Sequence, residues 1–147
     1  MLTVIGEALV DVVSREGEEP RAHVGGSPMN VAVGLARLGH DVQFLGRYGR
    51  DEYGRQVADH LTGNGVRLPF DADALPTSVA QATLDETGAA SYDFQLDWSL
   101  DISPERIDEL LRDTDALHAG SIGAMLEPGA TVVGQALERA RGHALIS

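Results

Sequence analysis

Along the chain, short continuous apolar runs alternate with segments in which apolar residues recur every three or four positions. This order predicts strands and helices in succession. Short apolar runs bounded by glycine or polar residues are typical of buried strands. They occur at 2–6, 41–49 and 116–120, and another begins at 143–147. Apolar residues recurring every three or four positions are typical of amphipathic helices. These helices are predicted at 27–38, 51–61, 103–113 and 128–141.

Three of the predicted helices carry a recognisable signal at their N-terminus. Ser27 is predicted as an N-cap with Pro28 at the first helical position, and Gly39 ends this helix. Asp51 is predicted to cap the second helix, which the Gly-Asn-Gly turn at 63–65 closes. Ser103, followed by proline, is predicted to cap the third.

Two stretches interrupt this order with a period of two. Residues 78–85 and 89–98 each alternate apolar and polar positions around a Glu-Thr-Gly turn, which predicts a hairpin with one buried face. Residues 8–24 similarly predict two short strands around an acidic turn at Glu16–Pro20. Three aromatic residues share one face of the hairpin: Tyr92, Phe94 and Trp98. They indicate packed core or, alternatively, a flap that closes over a small ligand.

The order of elements predicts an α/β fold, in which a parallel sheet carries a small antiparallel sheet as an insertion. Strands of a parallel sheet are normally buried on both faces. The chain ends on a strand with no helix after it, so we expect further structure to complete this fold.

Composition narrows the classes of function. The 147 residues fit one domain, and the absence of cysteine excludes disulfides and thiolate metal sites. The net charge of −12 argues against nucleic acid or an anionic membrane as a partner. No apolar run approaches the roughly 20 residues of a membrane span, and the N-terminus has no basic region typical of a signal peptide. We therefore expect a cytoplasmic protein.

The paired glycines Gly25 and Gly26 are the first candidate site. Their spacing does not fit the dinucleotide motif G-x-G-x-x-G, and a P-loop is excluded because the chain contains no lysine. What remains is a backbone surface without side chains, just before a helix N-terminus that favours oxygen-rich ligands. Asn30 adds a donor and an acceptor there. A purely structural turn is the alternative.

Acidic and basic side chains provide further candidates. Glu7, Leu9 and Asp11 share one face of an extended chain, and a carboxylate such as that of Asp11 binds sugar hydroxyls well. A solvated strand residue is the alternative. Three arginines are consistent with a phosphate-facing cluster, although a turn capped by an aspartate is simpler: Arg47, Arg50 and Arg55. The five histidines show no metal-binding spacing.

Several segments together indicate a family. VIGEALVDVV, GGSPMNVAVGLARLG, FLGRYGRDEYG, VRLP and ALHAGSI occur in this order. With them, essentially the whole chain resembles the N-terminal half of the ribokinase-like, or PfkB, carbohydrate kinases. The element G-G-x-x-x-N-x-A-x-x-L-x-x-L-G is specific. SYDFQLDW followed by SIGAMLEPG is most similar to the fructokinase and 2-keto-3-deoxygluconate kinase branch.

The resemblance implies a Rossmann-like three-layer α/β sandwich of the ribokinase type with a small antiparallel β lid. Its core would comprise 1–7, 25–77 and 99–147, and its lid about 8–24 and 78–98. The implied reaction is phosphorylation of a sugar hydroxyl, on fructose or a keto-sugar acid, with ATP and Mg²⁺. Lid sheets in this family often pair two protomers, which implies a homodimer. The implied sugar-binding residues are Asp11, Gly25, Gly26, Asn30 and, more weakly, Glu127.

The family's catalytic elements do not occur in these residues. The resemblance places the catalytic base in a G-A-G-D element and the nucleotide site near D-x-N-x-R and N-x-x-E elements, none of which is found in the sequence. We therefore expect the sugar-binding half of a kinase, with no catalytic base, nucleotide site or metal site, inactive alone. The alternative is a non-catalytic module for sugar binding or dimerisation.

Overall fold

The computed structural model describes residues 1–15, 19–84 and 90–147. The turn predicted at Glu16–Pro20 and the Glu-Thr-Gly turn at 86–88 lie partly or wholly outside these residues. The described strands are β1 Leu2–Ile5, β2 Leu9–Arg15, β3 Arg21–Gly25, β4 Val42–Leu45, β5 Val79–Leu84, β6 Ala90–Gln95, β7 Ala116–Ala119 and β8 Leu145–Ile146. The described helices are α1 Ser27–Arg37, α2 Glu52–Gly63, α3 Pro104–Leu111 and α4 Gly129–Ala140.

A parallel core sheet has the strand order β4-β1-β7-β8. Its apolar strands supply both faces, as the continuous hydrophobic runs predict. Val4 and Phe44 pack into one cluster with α1 and α2. Ile5 and Leu45 pack into a second cluster with α3 and α4. The helices thus lie on both sides of the sheet, and the predicted three-layer α/β architecture is confirmed.

A second sheet, the accessory sheet, has the order β3-β2-β5-β6. β2 pairs antiparallel with β3 and parallel with β5, and β5 pairs antiparallel with β6, which confirms the predicted hairpin. Val10 and Val12 on one face of β2 belong to the core cluster that contains Val57 of α2. Because side chains alternate along a strand, Asp11 lies on the opposite face, where it is exposed.

Two of the three predicted N-caps are confirmed, and one is wrong. Asp51 accepts a hydrogen bond from the Gly54 amide at 2.7 Å, and Ser103 accepts one from the Arg106 amide at 3.3 Å. α1, however, already begins at Ser27 and has Gly26 as its N-cap. Gly26 takes this position because its φ of 111° turns the chain into the helix.

The predicted position of Trp98 on the hairpin face is wrong. β6 ends at Gln95, and Trp98 is 4% exposed within the second core cluster. Its indole N–H donates to the Gly123 carbonyl at 2.7 Å, and a Cβ added to Gly129 would lie 2.3 Å from the indole nitrogen. A buried tryptophan needs both a wide apolar surface and a partner for its N–H, and the loop before α4 provides them.

Candidate functional site

Three elements meet at the carboxyl edge of the core sheet, where open α/β sheets bind ligands. Gly6 directly follows β1, and a Cβ added there would lie 2.1 Å from the Gly120 carbonyl oxygen and 2.4 Å from the Pro28 ring. The end of β1, the end of β7 and the start of α1 are therefore in direct contact.

Glu7 fixes this junction and was not recognised as important from sequence. Its carboxylate is 5% exposed. It accepts hydrogen bonds from the Ser121 amide at 3.0 Å, the Ser121 hydroxyl at 2.7 Å and the Gly123 amide at 2.8 Å. The signal in the sequence is an acid two residues after a buried strand, because the partners of Glu7 lie more than 110 residues away. Glu7 therefore ties the loop after β7 to the chain that enters β2.

The carboxylate of Asp11 lies directly against Gly25. β2 and β3 pair with Leu9 opposite Gly25 and Asp11 opposite His23. A Cβ added to Gly25 would lie 2.4 Å from Oδ2 of Asp11, so the missing side chain makes room for the carboxylate. Within the described ranges, the Asp11 side chain makes no hydrogen bond or ion pair with protein, and it is exposed. Its oxygens are therefore open to a ligand.

Gly26 and Asn30 continue this surface onto α1. A Cβ added to Gly26 would lie 2.6 Å from the Glu7 carbonyl oxygen, so there is no room for a side chain at this position. The backbone N–H of Asn30 donates to the Gly26 carbonyl at 2.9 Å, which places Asn30 one turn into the helix. Its side chain is exposed, near the free amides of the first turn.

Glu127 is not brought to this surface by any described contact. Its carboxylate accepts hydrogen bonds from the Thr131 amide at 3.2 Å and the Thr131 hydroxyl at 2.9 Å, at the start of α4. The loop that contains it begins at the segment held by Glu7. A role for Glu127 in sugar binding stays a prediction.

Arg47, the first of the three clustered arginines, has a structural role. Arg47 is 6% exposed and spends its five donors on the Asp73 carboxylate and three backbone carbonyls. These hydrogen bonds from Arg47 hold the pKa of Asp73 below its ordinary value. Partial burial acts to raise the pKa of Asp51, but hydrogen bonds from Thr77 and Gly54 outweigh it and the pKa is lowered. The simpler interpretation, a capped turn, is therefore the one that the contacts support.

In residues 1–15, 19–84 and 90–147, no group of three or more His, Asp or Glu side chains is arranged to hold a metal ion. No helix in the same ranges is long and apolar enough to cross a membrane.

Comparisons with known proteins agree on one relationship. The family model "pfkB family carbohydrate kinase" matches residues 1–145. The chain is 34% identical to "Fructokinase-1" of Oryza sativa subsp. japonica, covering 96% of this chain and 47% of that protein. It is 32% identical to "Fructokinase" of Solanum tuberosum, covering 96% and 48%.

Solved structures extend the comparison. The fructokinase of Xylella fastidiosa, which has also been solved with bound ATP, matches with a TM-score of 0.83 at 29% identity. The match covers 99% of this chain and 50% of that one. The chain thus spans about half the length of the relatives that it matches.

Proposed function

The chain belongs to the pfkB family of carbohydrate kinases, and on this premise we propose that it forms the sugar-binding part of an enzyme that phosphorylates fructose or a related sugar with ATP. The observation that carries the proposal is the open carboxylate of Asp11, seated against Gly25. A carboxylate accepts hydrogen bonds from two neighbouring hydroxyl groups, which is the pattern that a sugar presents.

The other residues of this surface suit the same ligand. The backbone at Gly25 and Gly26 lets a sugar ring approach closely. The side-chain amide of Asn30 can donate to one sugar hydroxyl and accept from another. Glu127 would reach the sugar from the loop after β7. We propose these roles by their match to the family's motif and by the arrangement of the first four residues.

One row of the accessory sheet adds an apolar wall. Ala80 pairs with Asp11 on one side and with Phe94 on the other, so the three side chains lie on the same face. Phe94 is 53% exposed. Because sugar rings present C–H groups as well as hydroxyls, we propose that Phe94 packs against the ring that Asp11 holds.

Two of the three clustered arginines already pair with acidic side chains within the described residues. All five donors of Arg47 are occupied within the protein, and Arg55 pairs with Glu52. Phosphoryl transfer depends on positioned charge around the transferred group. We therefore propose that residues 1–147 hold the sugar and that ATP, Mg²⁺ and the catalytic base act from elsewhere in the enzyme, so that these residues alone are inactive.

The proposal is tested with the protein encoded by the complete reading frame that contains this chain. ATP consumption is measured against a panel of neutral sugars and keto-sugar acids, with mass spectrometry of the products. We expect one phosphorylated sugar with saturable kinetics. Sugar binding without phosphate transfer would favour a non-catalytic binding module instead, and neither binding nor transfer across the panel would refute the proposal.

We propose, in addition, that the protein forms a homodimer through the accessory sheet. β3 and β6 are the edge strands of this sheet, and unpaired strand edges readily pair with another chain. Light scattering coupled to size exclusion should give twice the monomer mass. A proline placed at Asp93 of β6 should halve it, whereas an unchanged mass would place the interface elsewhere.

A further inference from the structure

We infer that His23 is a second hydrogen-bonding contact for the sugar, standing beside Asp11 on the accessory sheet. The inference rests on the proposed function, because it assigns a further residue to the same site. Nothing in the sequence signalled it, since the histidines lack metal spacing and His23 precedes the glycine pair without forming a recognisable motif.

The register of the accessory sheet places His23 in the site. Asp11 and His23 are direct partners in the antiparallel pair of β2 and β3. Side chains of directly opposed residues lie on the same face, with their Cβ atoms about 4.5–5.5 Å apart. Gly25, two residues after His23, shares that face, and the Asp11 carboxylate lies where its Cβ would be. The imidazole and the carboxylate therefore stand side by side above the bare backbone.

Both side chains are available to a ligand. His23 and Asp11 are exposed, and within the described part of the chain neither side chain takes part in a hydrogen bond or ion pair. The remaining charged side chain on this stretch of β3 is that of Arg21, which lies opposite Val13. The face that carries His23 is also opposite the one packed against α2, so the ring is not needed for the core.

The pair matches two hydroxyl groups on adjacent sugar carbons. A carboxylate only accepts hydrogen bonds, whereas an imidazole nitrogen can donate to a hydroxyl oxygen or accept from its hydrogen. Asp11 can therefore accept a hydrogen bond from one hydroxyl, while His23 donates a hydrogen bond to its neighbour. Phe94 lies beyond Ala80 in the same row, so it would limit the size of the sugar on the side away from His23. His23 thus contributes to the choice of sugar.

The test uses the complete protein with four variants: His23→Ala, His23→Gln, Asp11→Ala and the matched control His40→Ala, an exposed histidine beyond α1. For His23→Ala we expect the KM for the sugar to rise about three- to tenfold, because one hydrogen bond is lost. The kcat should stay within twofold. His23→Gln should recover part of the loss, and His40→Ala should match the unaltered protein.

A series of monodeoxy sugars locates the contact. Removing the hydroxyl that His23 binds should raise KM in the unaltered protein and have little further effect in His23→Ala. If His23→Ala keeps the KM and the same response to every deoxy sugar while Asp11→Ala loses affinity, the inference is wrong and the proposed function stands. If Asp11→Ala also keeps its affinity, the proposed site itself is wrong.

Discussion

Substituting Gly25 by alanine should damage sugar binding while sparing the fold. The added methyl carbon would lie 2.4 Å from Oδ2 of Asp11, and an unstrained contact requires the oxygen to retreat by about 1 Å. The carboxylate is exposed, so it can swing aside at a cost of about 0.5–1.5 kcal/mol. Replacing glycine by alanine inside a strand stabilises the folded state by roughly 0.5–1 kcal/mol. The free energy of unfolding should therefore change little.

The loss should show in affinity instead. Hydrogen bonds to a charged group are each worth about 1.5–3 kcal/mol, so a displaced Asp11 should weaken sugar binding about ten- to a hundredfold. Titration calorimetry gives the affinity, and urea denaturation gives the stability. Gly34→Ala is the matched control, because a Cβ added there meets nothing within 4 Å. Gly25→Ala with unaltered affinity would refute the placement of the carboxylate in the site.

Three further perturbations test other parts of the account. Gly26→Ala places a side chain at a φ of 111° and should lower the free energy of unfolding by about 1–3 kcal/mol in urea; full stability would contradict the positive φ. Glu7→Ala leaves the buried Gly123 amide and the half-buried Ser121 hydroxyl without their acceptor and should lower the free energy of unfolding by about 2–4 kcal/mol, of which Glu7→Gln should recover part. The pKa values of Asp51 and Asp73 are lowered from 3.8 in the folded state, so their stabilising effect is complete above that pH and is lost as the pH falls through the folded values. Denaturation midpoints measured from about pH 5 to 2 should fall less steeply in Asp51→Asn than in the unaltered protein.

The architecture was predictable because its signals are local. The apolar runs of β1 and β4 predict burial on both faces, and the structure buries nearly all of their residues. The period of two reports the hairpin of β5 and β6. Asp51 and Ser103 were recognisable as caps because their hydrogen bonds reach only three residues ahead.

Contacts between distant segments account for what the sequence did not show. Ser27 looks like an N-cap, but the helix entry is decided by Gly26, whose backbone passes close to the Glu7 carbonyl. Trp98 follows the hairpin's spacing, yet the chain leaves the sheet at Gln95 and carries the indole into the core. A period-two pattern cannot show where a strand stops, because side chains continue to alternate for as long as the chain is extended.

The candidate site, too, was predictable only where its signals are local. Asp11, Gly25 and Asn30 were identified as candidates from their residue types and motif, but only the pairing of β2 with β3 shows that a carboxylate fills the space over Gly25. That register also brings His23 beside it. No pattern within either strand determines which residues of the two face each other.

The kcat/KM for sugar of Asp11→Ala, compared with that of Asp59→Ala in the complete protein, tests the central claim most directly. Asp59 is an exposed aspartate of α2 and serves as the matched control. The account predicts a loss of about a hundredfold or more for Asp11→Ala, because two charged hydrogen bonds to the sugar disappear, and no change for Asp59→Ala. Equal values for the two variants would contradict a sugar site built on Asp11.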